Sequence, residues 1–60
     1  MTKLKKYMED KGWQAIEIAR KLGRSKRSVE RFMEVGLTKH DISVKYARVL
    51  GCNVSDIKED

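Results

Sequence analysis

Arg20, Lys21, Arg24, Lys26, Arg27 and Arg31 crowd into residues 20–31 of this 60-residue chain, where Glu30 is the single opposing charge. Guanidinium and ammonium groups at that density offer charge-assisted hydrogen bonds to anions, and to acceptor-rich edges such as guanine O6 and N7. The charge is one-sided: the chain carries +5 in all, yet Asp56 to Asp60 is net acidic. A solvated surface is the bland alternative, because Glu30 and Glu34 each follow an arginine by three residues, a spacing that suits exposed ion pairs. The helix dipole argues against it. Lys26 and Arg27 fall in the first turn of a helix opened by Ser25, where positive charge costs about 0.3–1 kcal/mol. An anion at that helix end reverses the sign, since backbone N–H groups and both cations then meet it together. Arg27 and Arg31, four residues apart, share the same outer side.

The elements that carry these residues follow from apolar spacing. Leu4, Tyr7 and Met8 recur at helical intervals after Thr2, a suitable N-cap, and Gly12 stops that helix before Trp13, which caps the core. Ala15, Ile18, Ala19 and Leu22 form the inward stripe of a second helix that leaves Glu17, Arg20 and Lys21 to solvent and closes at Gly23. Ser25, accepting from the amide near Ser28, opens a third helix over residues 25–34, with Val29, Phe32 and Met33 inward and Arg27, Glu30, Arg31 and Glu34 outward. Gly36 ends it. Thr38 or Asp41 is the expected cap of a fourth helix with Ile42, Tyr46, Val49 and Leu50 on its apolar face and Gly51 as its stop. Asn53 or Ser55 opens a last short turn anchored by Val54 and Ile57, too short to hold without packing. The expectation is one all-α domain, residues 1–60, of about five short helices.

Composition excludes other classes. Sixty residues with no proline and 38% charged residues suit a small helical domain and leave little room for an active-site cavity with a supporting core. A single histidine, His40, and a single cysteine, Cys52, make neither a closed zinc-ligand set nor a catalytic constellation, so no metal, cofactor or enzymatic activity is expected. Cys52 reads as a small core residue in a cytosolic chain. No membrane helix or signal-peptide core is visible, and the expectation is a soluble, unprocessed protein. Tyr7, Trp13 and Tyr46 read as core, not as a platform for stacking single-stranded bases.

Two steric demands narrow the fold. Ala19 lies where two helices cross and a larger side chain would force them apart, and Gly23 takes the left-handed conformation that reverses the chain. With Ile18, Leu22, Val29 and Phe32 at the matching apolar positions, residues 15–34 resemble the helix-turn-helix of the lambda-repressor-like family, which includes the phage Cro and CI proteins. The later KYARVLGCNVSDI resembles that family's fourth helix and its passage into a fifth, so the resemblance covers about residues 3–57. It implies a short Cro-like repressor whose third helix enters the major groove of double-stranded DNA. Lys26, Arg27 and Arg31 would then meet base edges, and Gln14, Arg24, Ser25, Ser28 and Lys39 the DNA backbone. It also implies a homodimer on a pseudo-palindromic operator with half-sites ~34 Å apart. Cys52, Val54 and Ile57 are the apolar groups available for that contact, a small patch suited to weak association strengthened on DNA. A bacterial or phage-infected cytoplasm, at the nucleoid, is the implied location.

The chain departs from the family pattern at four places. Gln14 stands where a Ser, Thr or Asn cap is usual, and Ala15 replaces a glutamine that commonly clamps phosphate. Arg24 follows the turn glycine in place of an apolar residue, and Gly36 comes one residue late. A module of another class, an antitoxin-like or adaptor domain that binds a protein and touches DNA secondarily, is the alternative.

Overall fold

The computed structural model describes residues 1–59. Five helices follow one another: α1 (Lys3–Lys11), α2 (Ala15–Leu22), α3 (Lys26–Val35), α4 (His40–Leu50) and α5 (Val54–Ile57). The fold is all-α, and its one extended pairing among the described residues is an isolated parallel bridge between Leu37 and Lys58.

α1, α2, α3 and α5 each begin where a side chain accepts from an amide at the helix start. Thr2 Oγ1 accepts from the Lys5 amide at 3.2 Å and donates to the Met33 carbonyl at 2.6 Å, so the cap of α1 also ties it to the end of α3. At α2 the Gln14 amide donates to Glu17 Oε1 at 2.9 Å, the backward half of a capping box. Ser25 Oγ accepts from the Ser28 amide at 3.2 Å and opens α3. Gly23, at φ 67°, terminates α2 in the left-handed region and lets the Arg24 amide reach back to the Ala19 carbonyl at 2.9 Å.

The start of α4 differs from expectation. Lys39 is its N-cap, and neither Thr38 nor Asp41 takes that place. The Ser43 hydroxyl donates to the Lys39 carbonyl at 2.7 Å from inside the first turn, while Asp41, now within α4, faces the positive end of the helix dipole.

Burial follows the apolar stripes. Leu4, Met8, Ile18, Val29, Leu37, Tyr46 and Ile57 are wholly enclosed, and Ala19 is 2% exposed. Each large apolar side chain so enclosed contributes about 1.5–3 kcal/mol before the entropy of ordering it. α2 packs on α3 and α4, and α1 closes the other side against α3 and α5. The Phe32 and Tyr46 rings meet edge to face at 5.8 Å and 74°. The Tyr46 hydroxyl has no hydrogen-bond partner among the described residues.

The chain end completes the core. The Asn53 amide donates to Asp56 Oδ2 at 3.0 Å to start α5, and the Glu59 amide donates to the Leu37 carbonyl at 2.6 Å. Gly36 is required there: a Cβ on it would lie 2.6 Å from Glu59 Cγ, and its φ of 90° disfavours any side chain. This return of the C-terminal segment presses Ile57 inward. Ile57 is therefore a core residue and leaves the set expected to face a second copy, whereas Cys52 and Val54 remain partly exposed.

Candidate nucleic-acid interface

α3 positions the basic residues. Val29 faces the core without exposure, with Phe32 and Met33 packed beside it, so the opposite side of the helix must point outward. Successive residues turn by about 100°, which orders that side as Lys26, Glu30, Glu34, Arg27 and Arg31 across about 140°. Lys26, Arg27, Glu30, Arg31 and Glu34 are all exposed. The spacing thus places the base-contact candidates Lys26, Arg27 and Arg31 on one continuous face.

Ion pairing on this face is sparse. Lys26 Nζ and Glu30 Oε2 stand 4.0 Å apart, and neither Arg27 nor Arg31 has a carboxylate partner among the described residues. The arginine-to-glutamate pairs that the i,i+3 spacing offered do not form. Both guanidiniums keep their donors for another acceptor.

The charge pattern runs against the helix dipole at both ends. α3 has no acidic residue in its first turn, which holds Lys26 and Arg27, and no basic residue in its last, which holds Glu34. The first-turn amides of Lys26 and Arg27 lie ahead of any intrahelical acceptor, so the helix start presents donors and positive charge together.

Of the backbone-contact candidates, Arg24, Ser25 and Ser28 lie beside this face. Arg24, Ser28 and Arg31 line an open groove with Phe32, Val35, Gly36 and Thr38. Ser25 Oγ and Ser28 Oγ are 3.1 Å apart, so each hydroxyl is engaged by the other and oriented at the helix start. Gln14, exposed at the start of α2, donates its backbone amide to Glu17 in the cap of that helix. Lys39 lines a smaller neighbouring pocket with Phe32, Leu37, Thr38 and Ile42 and meets the first groove at Thr38 and Phe32. His40 is the first residue of α4, exposed, and not part of a loop.

Two residues on this side escaped the periodicity. Val35 is 64% exposed at the end of α3, and Thr38 lies exposed on the groove instead of capping α4. The signal at Val35 was an apolar side chain four residues after Arg31, on the outer stripe of an otherwise regular pattern.

Burial pushes the Tyr46 hydroxyl above its ordinary value, with the positive charge of Arg24 acting in the other direction. Burial, then the Asp56 charge, raises the Cys52 thiol above 9.0, which keeps it protonated near neutral pH. Among the described residues no group of three or more His, Cys, Asp or Glu side chains is placed to hold a metal ion, and no helix is long and apolar enough to cross a membrane. Comparison of the chain with family profiles, with curated proteins and with solved structures finds no match.

Proposed function

We propose that this protein is a sequence-specific double-stranded-DNA-binding regulator of transcription, a Cro-like repressor that inserts α3 into the major groove. One observation carries the reading: an exposed helix face on which Lys26, Arg27 and Arg31 converge, with two of those cations set against the dipole of their own helix. Phosphate and guanine edges turn that local cost into attraction. α2 packs on α3 with Ala19 enclosed, and residues 23–27, from the turn into the start of α3, are exposed, which suits a major-groove probe.

Lys26, Arg27 and Arg31 are the proposed base readers. Arg24, Ser25, Ser28, Gln14 and Lys39 are the proposed phosphate contacts, and the resemblance to Cro-type proteins favours a homodimer on a two-fold site. With Ile57 enclosed, Cys52 and Val54 offer a still smaller apolar surface to a second copy, which favours assembly on the DNA over assembly beforehand. Such a regulator would act in the cytoplasm of a bacterial or phage-infected cell, at the nucleoid, without cofactor, metal or membrane.

Selection of bound duplexes from a random pool at about 0.15 M salt, where nonspecific phosphate attraction is weakened, tests this reading. The expected product is a two-fold-symmetric site with half-sites ~34 Å apart. Recovery of an unselected pool would overturn it and put a protein-binding, antitoxin- or adaptor-like role first.

A further inference from the structure

Glu30 and Glu34 are two acids on the basic face that DNA binding leaves unexplained, and Glu30 lies one turn nearer the start of α3, where Lys26 and Arg27 stand. Its side chain is 55% exposed, and it sits on the outer sector of α3 between Lys26 and Arg27. A carboxylate there is repelled by phosphate. Its contact with Lys26 is long, at 4.0 Å, and runs in the weaker direction, with the cation N-terminal to the acid at i,i+4. An exposed pair of that kind contributes little to stability. Glu30 is therefore costly to any anion-binding face unless a hydrogen-bond donor stands opposite it.

The major groove presents two such donors, cytosine N4–H₂ and adenine N6–H₂. They are not equivalent for a carboxylate. The adenine donor lies beside the N7 acceptor, which repels a second carboxylate oxygen, whereas the cytosine edge carries no acceptor in the major groove. Guanine O6 and N7 and thymine O4 are acceptors and repel it. Arg27 and Glu30 are separated by three residues, about 4.5 Å of axial rise, comparable to one base-pair step.

Resting on the DNA-reading role of α3, we infer that Glu30 is a specificity filter: it accepts from the N4 amino group of a cytosine within about one step of the guanine met by Arg27, and it rejects guanine or thymine there. The partner is thereby narrowed from duplex DNA to a half-site in which a guanine and a cytosine are read by adjacent, oppositely charged side chains.

The test is the duplex selection performed in parallel on the unaltered protein, Glu30→Gln and Glu30→Ala, with helical content measured on each. Exposure of Glu30 predicts that all three fold alike. The unaltered protein is expected to enrich cytosine at one position per half-site. Glu30→Gln, able to donate as well as accept, is expected to move that preference to adenine. Glu30→Ala is expected to lose about tenfold of the discrimination at that position alone while gaining several-fold affinity for unrelated duplexes. A site enriched by the unaltered protein and returned unchanged by both variants would overturn this inference and leave the DNA reading intact. No site enriched by any of the three would overturn both.

Discussion

α2 and α3 are neighbours of similar length that treat charge in opposite ways. α2 places Glu17 in its first turn, where the carboxylate also receives the Gln14 amide, and Arg20 and Lys21 in its last, so every end charge agrees with the helix dipole. α3 begins with Lys26 and Arg27 and ends with Glu34. Both bury a regular apolar stripe against the same core, so the difference is not one of amphipathicity. The charges of α2 are those of a supporting element, stabilised by its own geometry. Those of α3 make sense with a partner present, and the contrast sets scaffold beside the proposed reading surface within 21 residues of sequence, 15–35.

That contrast can be broken by substitution, beginning with the largest effect. Ile18→Ala, which empties a wholly enclosed site on α2, should cost about 2–5 kcal/mol in chemical denaturation, while the folded fraction binds DNA as before. Arg27→Ala or Arg31→Ala should do the converse. About 1–3 kcal/mol of affinity for the selected site is lost, with unchanged midpoint of unfolding, and base preference relaxes; an equal loss on all sequences would reassign them to phosphate.

A smaller effect belongs to the core between the two helices and α4. Tyr46→Phe removes a hydroxyl that is enclosed without a partner among the described residues and should stabilise the fold by about 1 kcal/mol. The same variant should blunt alkaline unfolding. Because folding raises the Tyr46 value, the unfolded chain ionises first, and stability present below pH 10.0 is lost as pH rises beyond it. Stability curves of the two proteins between neutral and alkaline pH would test both statements.

The smallest expected change in stability sharpens the comparison most. Arg27→Glu should raise stability by about 0.3–1 kcal/mol and abolish DNA binding, whereas Glu17→Lys should lower stability by a similar amount and leave base preference unaltered. Calorimetry on both variants would reveal whether the two helices respond with opposite sign.

Much of the scaffold was legible because local rules decide it. Gly23 and Ser25 bound the turn where left-handed backbone and a side-chain cap require them, and Ala19, Ile18 and Val29 repeat at helical spacing. What escaped was long-range or cooperative. Lys39 precedes α4 with no side-chain cap, and the Ser43 hydroxyl, four residues on, donates to its carbonyl, a placement that no cap preference at Thr38 or Asp41 encodes. Ile57 is interior because Lys58 and Glu59 return to Leu37, a contact across some twenty residues that periodicity in a four-residue helix cannot anticipate. On the reading face, helical spacing sufficed to bring Arg27 and Arg31 outward together. The acids beside them, at a spacing that suits pairs with the arginines, make none among the described residues, and Glu30 instead stands 4.0 Å from Lys26.

The most direct measurement is to follow the backbone amides of the isotopically labelled protein by NMR as a duplex bearing the selected site is added. The account predicts that the largest shifts gather at Ser25 to Arg31, with smaller ones at Gln14, Arg24 and Lys39, and leave α1 and α5 near their free positions. Shifts centred instead on α1 and α5, with the start of α3 unmoved, would contradict it.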